Sequence, residues 1–268
     1  MRRRGKPAVG HGARHWRSRR VTVPLALIAA VFAVGWPAPS AAPDAATPST
    51  VVSAGSPAVG ALFTVSDGQL GAHFCTASVV DSPAGDLLIT AAHCVAGYSD
   101  TNPADLAFVP GYNGTAPFGT WTVTRIFVDQ AWASTADPAD DVAFLAVAQP
   151  RTGTPIQNVA GGERLDIGRP ATGVVRVIGY PDTQNQPLSC LNRIVAVSYT
   201  QMQFDCDGYA DGTSGSPFLT GVGADAGEPA VIGVIGGYQQ GGDSANVSYA
   251  AAFGQNVQAL YEVAVSRR

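Results

Sequence analysis

Short apolar runs recur along most of the chain, and turn-forming residues such as Gly, Pro, Asn and Asp separate them. Each run is three to eight residues long, a length and spacing typical of β-strands. The runs cover residues 58–65, 74–80, 87–90, 106–109, 121–128, 142–147, 174–178, 194–197, 202–204, 217–219, 231–235 and 247–251. Twelve runs without helical repeats between them predict an all-β protein, folded as β-barrels or as a sandwich.

The end of the chain has a different periodicity. Four apolar residues recur there at the interval of an α-helix, namely Val257, Leu260, Tyr261 and Ala264. Two arginines follow them, which suits the C-terminus of a helix. The stretch 150–169 has few apolar runs, so we expect it to be the crossover between two halves of the fold.

The first 42 residues follow the order of an export signal. Eight of the sixteen basic residues fall within the first twenty positions, an apolar run covers 21–36, and small residues follow at 38–42. The apolar run is interrupted by Pro24 and Gly35, and it is shorter than the about 20 residues that span a membrane. We therefore predict a signal peptide over 1–42, with a single membrane anchor as the alternative.

The remainder divides into a leader and a folded domain. Residues 43–57 are rich in Ala, Ser, Thr, Pro and Gly, which predicts a flexible leader or pro-segment with little packing of its own. The folded domain is predicted over 58–268. Its two halves are expected at about 58–150 and 170–252, with the helix after them.

Removal of the signal changes the charge of the chain. The rest keeps eight arginines, no lysine and nineteen or twenty acidic residues, a net charge of about −11 or −12. Such a surface repels phosphate backbones and anionic lipids. We therefore expect no nucleic-acid partner and, after signal cleavage, no membrane partner. The protein is also predicted to be secreted and monomeric.

The chain has four cysteines, an even number that suggests two disulfides in an exported protein. Three connectivities are possible. The local pairs Cys75–Cys94 and Cys190–Cys206 are favoured because each flanks a short strand-loop-strand stretch. A zinc site is the competing interpretation, but the chain has no CxxC spacing and few histidines after the signal.

Only two histidines follow the signal, so a reaction that needs an imidazole near neutral pH must use one of them. His93 ends the sequence Leu88-Ile-Thr-Ala-Ala-His93 and precedes Cys94. A strand end and a bridged cysteine would hold this ring rigidly, as a general base requires. His73 lies inside a strand pattern, and we interpret it as structural.

A candidate nucleophile lies in the sequence Asp211-Gly-Thr-Ser-Gly-Ser-Pro217. Glycine lets the backbone turn sharply there, and the N–H groups of Gly212 and Ser214 can point together at an oxyanion. A plain polar turn is the alternative, because Gly, Ser and Thr are common in turns.

Two acids, Asp140 and Asp141, immediately precede the apolar run 142–147. A carboxylate buried at the mouth of an apolar strand needs a hydrogen-bond partner, and we predict that His93 is the partner of Asp141. Asp140 is expected to be a solvated loop residue.

Together these motifs resemble the chymotrypsin-like (trypsin-like) serine endopeptidases. The resemblance covers about residues 57–265 and rests on the order His, Asp, Ser and on four motifs: His73-Phe-Cys75, Thr90-Ala-Ala-His-Cys94, Asp141-Val-Ala-Phe-Leu145 and Gly212-Thr-Ser-Gly-Ser-Pro217. The last motif is similar to that of the bacterial secreted branch that contains the glutamyl endopeptidases. The resemblance implies two perpendicular six-stranded antiparallel β-barrels with the site in the cleft between them, and a disulfide between Cys75 and Cys94.

The resemblance also implies a mechanism. Ser214 would attack a peptide carbonyl, His93 would take its proton, and Asp141 would orient the ring. The N–H groups of Gly212 and Ser214 would form the oxyanion hole. The substrates would be proteins or peptides, and no metal or organic cofactor would be needed.

One departure from the family pattern concerns Thr213. Many members carry an aspartate there, which pairs with a freshly cut N-terminus, and the Ile-Val-Gly-Gly start that goes with it is also missing from this chain. A threonine cannot form that ion pair. We therefore expect neutral hydrogen bonds to hold the oxyanion loop, so that activity does not depend on one particular N-terminus.

The substrate pocket is less well defined. The family's pocket-floor position, six residues before the candidate serine, falls on Gly208, but no cysteine lies four residues before that serine, so Asp207 or Asp211 can intrude. The opposite wall is predicted at Ile235 and Gly236, without the histidine that glutamate-specific members place there. We expect small or apolar substrate side chains to be preferred over acidic ones.

Two functions from other classes remain as alternatives. A catalytically inert family member that binds a protein partner would lack an activated serine. An esterase of the α/β-hydrolase type would need a G-x-S-x-G turn and the order Ser, Asp, His, whereas Ser216 takes the last position here and the order differs.

Overall fold

Strands account for most of the regular structure in this computed structural model. It describes residues 46–98, 103–149, 153–222 and 229–267, and the predicted signal peptide lies outside them. The strands in these ranges are β1 (Val51–Val52), β2 (Val59–Ser66), β3 (Gln69–Val80), β4 (Leu87–Thr90), β5 (Leu106–Pro110), β6 (Trp121–Val128), β7 (Ala143–Ala148), β8 (Arg164–Leu165), β9 (Val174–Gly179), β10 (Leu188–Ala196), β11 (Gln201–Asp205), β12 (Pro217–Leu219), β13 (Ala230–Val234) and β14 (Val247–Ala251). Each of the twelve predicted runs overlaps a strand, which confirms the all-β prediction.

The same ranges contain three α-helices: α1 (Gln130–Thr135), α2 (Gln157–Ala160) and α3 (Gln255–Ser266). Helix α3 is the predicted C-terminal helix, and it buries Val257, Leu260 and Ala264. Helix α2 and strand β8 lie in the predicted crossover. None of the helices in the described ranges is long and apolar enough to cross a membrane.

The first half of the fold is a closed barrel of six strands in the order β2-β3-β4-β7-β6-β5. All neighbouring strands are antiparallel. Alternate side chains point inward and fill the barrel with aliphatic and aromatic groups. They include Leu62, Val79, Leu88, Phe108, Trp121 and Leu145. The first of the two predicted barrels is thereby confirmed.

The second half is a sheet in the order β14-β11-β10-β9-β12-β13-β8, with β1 also paired to β10. The six strands from β14 to β13 are antiparallel. An isolated bridge between Ile235 and Ala250 joins the two ends of this run. One bridge replaces a continuous ladder because the chain past Ile235 turns toward the first barrel, where the Gly237 N–H binds Asp141.

Strand β10 is longer than the predicted run 194–197. It begins at Leu188, and its buried residues Leu188, Cys190 and Ile194 are separated by residues that are partly or fully exposed, most of them polar. A strand with one solvated face alternates in this way and contains no continuous apolar run. The alternation, rather than a run of apolar residues, is the signal that would have located its start.

A shared apolar layer lies between the two halves. Phe63 and Phe144 of the first barrel pack in one cluster with Ile178 and Val234 of the second sheet, and Leu260 of helix α3 joins them. Well-packed interiors of this kind resist deformation. The shared layer therefore fixes the loops of the two halves relative to one another.

The segment 43–57 packs more than its composition predicts. Strand β1 pairs with β10, the Thr50 N–H donates to Asp207 O at 2.7 Å, and the Asp207 N–H donates to Pro48 O at 2.8 Å. These are backbone hydrogen bonds, which almost any sequence can make. The prediction of a flexible leader is therefore corrected from Pro48 onward.

Candidate active site

His93 lies where a buried strand ends in a tight turn. Strand β4 ends at Thr90, and a 3-10 turn follows over Ala92–Val95. The Cys75–Cys94 disulfide ties this turn to β3. The side chain of His93 is 12% exposed, so a rigid strand end presents the ring at the surface of a cleft.

Asp141 follows a second tight turn. The side chain of Asp137 accepts a hydrogen bond from the Ala139 N–H at 2.9 Å, and Pro138 begins the 3-10 turn Pro138–Asp140. Strand β7 begins two residues after Asp141. The carboxylate therefore lies at the mouth of a buried strand, and it is itself fully buried.

The carboxylate of Asp141 accepts three hydrogen bonds. The His93 backbone N–H donates to Oδ1 at 2.9 Å, His93 Nδ1 donates to Oδ2 at 2.8 Å, and the Gly237 N–H donates to Oδ2 at 2.8 Å. Such bonds offset the cost of burying the charge. Because Nδ1 carries its proton toward the carboxylate, Nε2 is free to accept one, which is the tautomer that a general base needs.

The peptide between Asp211 and Gly212 is fixed by its carbonyl group. Asp211 O accepts the Asp182 N–H at 2.9 Å. The N–H of a trans peptide points opposite to its C=O, so the Gly212 N–H points away from Asp182. Only glycine fits there, since φ is +91° and a Cβ would lie 2.3 Å from Asp182 N. The Gly212 N–H has no acceptor among the described residues, and the residue lines the cleft beside His93.

The peptide between Thr213 and Ser214 is fixed in the same way. Thr213 O accepts the Ser216 N–H at 3.0 Å and the Ser216 hydroxyl at 2.6 Å. The Ser214 N–H on the other side of this peptide also lacks an acceptor within the described ranges. Two free N–H groups on alternate peptides of one loop, with a single peptide between them, are the arrangement that an oxyanion hole requires.

Neutral hydrogen bonds also hold Thr213 itself. Its backbone N–H and its hydroxyl both donate to Ala210 O, at 3.1 and 2.7 Å, and the residue is buried. In this loop the threonine hydroxyl thus makes a local bond where the family's aspartate would need a distant ammonium group. These contacts agree with the expectation of a loop held without an ion pair.

His93 and Ser214 line the same cleft, which has a volume of about 450 Å³. Phe74 and Tyr98 also line it, and their rings stack 6.3 Å apart. In the described part of the chain, no hydrogen bond joins His93 Nε2 to Ser214 Oγ. Catalytic hydrogen bonds are often long in an enzyme without substrate and tighten in the substrate complex.

A cavity of about 530 Å³ adjoins Ser214 on the side of the second sheet. Three carboxylate side chains line it, those of Asp182, Asp211 and Asp243. The described residues around it include no arginine. Ile235, one of the three predicted pocket residues, lies in its wall.

The other two predicted pocket residues lie elsewhere. Gly208 packs against the N-terminal segment, where a Cβ would lie 2.1 Å from Thr50 Oγ1. Gly236 packs against Asp141, with a Cβ position 2.9 Å from Oδ2. Counting back from the serine assumed a loop with a cysteine four residues before it, whereas the cysteine of this segment is Cys206, eight residues before Ser214. The residues between Gly208 and Gly212 that line the cavity are Tyr209, Ala210 and Asp211.

Asp140 is only partly exposed, whereas the sequence predicted a solvated loop residue. Its side chain accepts a hydrogen bond from Asn256 Nδ2 of helix α3 at 2.6 Å. Burial raises the pKa of Asp140, the bond from Asn256 lowers it, and the charges of Asp129 and Asp137 raise it further. Asp140 thus helps to attach helix α3 to the turn that carries Asp141.

His73 is buried, as a structural residue would be. Its ring lies between Phe63 and Tyr112, with ring centres 5.4 and 5.5 Å away, and its Nδ1 has no hydrogen-bond partner. Burial lowers the pKa of His73, and the charge of Asp182 partly offsets this effect. The neutral ring is therefore the favoured form.

Gln201 is a buried residue that the sequence did not single out. It begins strand β11 and is fully buried. Its Nε2 donates to Pro138 O at 2.9 Å, and its Oε1 accepts the Tyr238 N–H at 3.1 Å. It therefore joins the two segments that meet at Asp141. A lone glutamine after a turn carries no sequence signal for this position.

The two disulfides are the locally paired ones, Cys75–Cys94 and Cys190–Cys206. A ring nitrogen of His93 and the sulfurs of Cys75 and Cys94 lie within 4.8 Å of one another. Metal ligation needs the thiolate form of cysteine, and both sulfurs are committed to the disulfide. This group of atoms is thus unsuited to hold zinc.

Comparisons with known proteins place the chain in a family. Residues 75–224, more than half of the chain, match the model of the trypsin-like peptidase domain. Among curated proteins, no sequence matches this chain significantly.

Three solved structures share the fold. Protease Anisep from Arthrobacter nicotinovorans has 22% identity and a TM-score of 0.65, with 80% of this chain and 98% of that chain covered. The thermostable serine protease AL20 from an extremophilic microorganism has 23% identity and a TM-score of 0.64, with 80% and 99% covered. A Glu endopeptidase has 17% identity and a TM-score of 0.62, with 83% and 99% covered. The chain belongs to the trypsin-like peptidase family and has the chymotrypsin-like fold of these serine proteases.

Proposed function

We propose that the chain is a secreted serine endopeptidase in which Ser214, His93 and Asp141 form the catalytic triad. Ser214 Oγ attacks the carbonyl carbon of the scissile peptide while His93 Nε2 takes its proton. The same proton then passes to the leaving amine, and an acyl-enzyme remains on Ser214. In the second half of the reaction, water attacks the acyl-enzyme while His93 Nε2 takes its proton. The proton then returns to Ser214 Oγ as the second product leaves.

The observation that carries this proposal is the hydrogen bonding of Asp141. Its buried carboxylate binds both the backbone and the ring of His93, and the ring lines the cleft that Ser214 also lines. A surface histidine gains nothing from such an arrangement. A general base needs it, because the carboxylate fixes the tautomer and stabilises the imidazolium that forms.

The oxyanion of the tetrahedral intermediate would lie against the N–H groups of Gly212 and Ser214. Both groups are unbonded within the described residues, and the carbonyl groups of the same two peptides already accept hydrogen bonds, Asp211 O from Asp182 and Thr213 O from Ser216. Fixed donors of this kind need no reorganisation during the reaction. Each is worth about 3 kcal/mol of transition-state stabilisation.

The charge of the cavity beside Ser214 supports a substrate preference. An acidic side chain would meet the carboxylates of Asp182, Asp211 and Asp243. One similar structure is a Glu endopeptidase, and this charge argues against extending that specificity to the present chain. The preference for small or apolar side chains rested on an uncharged floor at Gly208 and on an opposite wall without histidine. Gly208 lies elsewhere and three aspartates line the cavity, so we expect basic side chains to be favoured over acidic ones.

Export is the second part of the proposal. The basic, apolar and small segments of residues 1–42 support a signal peptide, and two disulfides are typical of an oxidising compartment. The acidic mature chain would act on proteins or peptides as a monomer, without nucleic-acid or membrane partners.

Labelling with a fluorophosphonate tests the proposal, because only an activated serine reacts. The parent should be labelled at Ser214, and a mixed protein substrate should be cleaved. Replacing Ser214 with Ala should abolish labelling and lower turnover by about 10⁴- to 10⁶-fold without loss of fold. A folded parent that is neither labelled nor able to cleave protein would instead support the inert, partner-binding alternative.

A further inference from the structure

Thr76 is a buried residue of β3 that contacts both halves of the candidate site. It follows Cys75 directly and has no exposed surface. Its backbone N–H donates to Ser214 O at 2.8 Å. Its hydroxyl donates to Gly212 O at 3.1 Å. One first-barrel residue therefore binds the carbonyl groups of both residues whose N–H groups face the oxyanion.

The direction of the hydroxyl bond is set by a second contact. Thr76 Oγ1 accepts the Tyr180 N–H at 2.9 Å, and a hydroxyl has a single proton to donate. Because Thr76 Oγ1 accepts from the Tyr180 N–H, the proton of the hydroxyl itself is directed to Gly212 O. The same threonine also accepts at its backbone oxygen from Thr90 Oγ1, at 2.7 Å, three residues before His93.

These bonds restrict the peptide that lies between the two oxyanion donors. The Gly212 carbonyl is held by Thr76, and the Thr213 N–H of the same peptide is held by Ala210 O. With both ends of the middle peptide fixed, rotation that would turn the Gly212 or Ser214 N–H away from the cleft breaks at least one buried hydrogen bond.

The loop also packs directly on the backbone of Thr76. Gly215 has a φ of +82°, and a Cβ there would lie 2.1 Å from Thr76 O. The loop thus rests directly on the backbone of β3, beside the hydroxyl group of Thr90. Thr76 lines neither the cleft nor the cavity, so it does not contact substrate.

We infer that Thr76 is a positioning residue that keeps the oxyanion hole formed through its hydroxyl bond to Gly212 O. The inference rests on the proposed serine endopeptidase function and adds to it a device that joins the two barrels. It explains how the hole can stay formed without the ion pair that Thr213 cannot make.

The test compares Thr76→Val, which keeps the shape and loses the hydroxyl, with Thr76→Ser, which keeps the hydroxyl. Ser78→Ala is the matched control, because Ser78 lies two residues along the same strand, is buried, and has an Oγ without a partner. Kinetics are expressed per active site, counted by fluorophosphonate titration. Tm is measured for every variant.

Thr76→Val should lower kcat by about 10- to 100-fold. The oxyanion donors stabilise the transition state rather than the bound substrate, so displacing one of them weakens only that stabilisation. KM should change little. Affinity for a peptidyl boronic acid, which forms a tetrahedral adduct on the serine, should fall by a similar factor. Thr76→Ser should restore most of kcat, and Ser78→Ala should resemble the parent.

Unchanged kcat and boronate affinity in Thr76→Val, with only a lower Tm, would overturn the inference and leave the proposed function intact. If Thr76→Val does not fold, Thr76→Ala is measured in the same way. Failure of both to fold would also reject the inference, since the hydroxyl would then be needed for the fold itself. A folded parent without activity would overturn the proposed function and this inference together.

Discussion

The two sides of the candidate site are held by different interactions. On the His93 side, a buried carboxylate accepts three N–H bonds, so the interactions are charge-assisted. On the Ser214 side, loop 210–216 is held by bonds between neutral groups only. Charge-assisted hydrogen bonds are roughly twice as strong as neutral ones. Loss of one hydrogen bond should therefore lower activity more on the His93 side. On the Ser214 side each bond is weaker, and the loop is held by several of them together.

The largest effect short of removing the nucleophile is expected at Asp141. In Asp141→Asn the amide can donate to Nδ1, which favours the tautomer with the proton on Nε2. We expect kcat to fall by about 10⁴-fold. Steady-state kinetics measure the loss, and Asp140→Asn is the control. If Asp141→Asn and Asp140→Asn lowered kcat equally, the different roles that we assign to these two acids would be contradicted.

A smaller effect is expected at Gln201. Gln201→Met keeps the side-chain volume and loses the bonds to Pro138 O and to the Tyr238 N–H. Asp141 should shift slightly, and we expect kcat to fall by about 10- to 100-fold. Gln203→Met is the control, because Gln203 lies on the same strand and donates instead to Asp205.

A double variant identifies the route of the Gln201 effect. If Gln201 acts through Asp141, Gln201→Met should cost little more in the Asp141→Asn background. Fully additive losses would mean that Gln201 acts by another route. ¹⁵N NMR of the histidine rings adds a readout that needs no proteolysis, since His73 and His93 are the two histidines after the predicted signal.

Changes at the N-terminus test the Ser214 side. Chains that begin at residue 46, with or without a short extension, should be equally active, because no terminal ammonium is needed. Deletion through Ser53 should raise KM several-fold, since it removes the bonds that hold Asp207 next to the cavity wall. Activity that appears with only one new N-terminal residue would contradict a loop held by neutral bonds.

The smallest effect concerns stability at low pH. The pKa of His73 is below its ordinary value of 6.5 because the folded protein buries the ring. As pH falls below 6.5, the unfolded chain takes up a proton that the folded chain resists, so stability declines. His73→Phe should make the decrease in Tm between pH 7 and pH 5 shallower. Equal slopes for parent and variant would reject this role.

Features with local signals could be predicted from the sequence. His93 and Ser214 lie in short motifs, and the strands are marked by apolar runs between turn residues. The weaker signal of Asp141, an acid before a buried strand, predicted its contact with His93, which the structure contains, while the catalytic roles of the two residues stay predictions. In each case the relevant information lies within about ten residues.

Features that depend on contacts between distant segments could not be predicted. Thr76 lies 136 residues before Gly212, and the bond between them exists only after two barrels have packed. Gln201 reaches Pro138 across 63 residues. Gly208 was placed at the cavity by counting along the sequence, but it packs against Thr50, a contact between segments more than 150 residues apart. The backbone pairing of the N-terminal segment could not be predicted from its composition, because backbone groups can pair in almost any sequence.

The Cys75–Cys94 bridge has a consequence for the cell that makes this protein. Cys94 adjoins His93, and Cys75 adjoins Thr76, so one covalent bond joins the segments that carry the two sides of the candidate site. A reducing cytosol keeps such thiols apart. If the chain is exported as proposed, this bond would form only after the chain reaches an oxidising compartment, so the two segments would become covalently joined outside the cytosol.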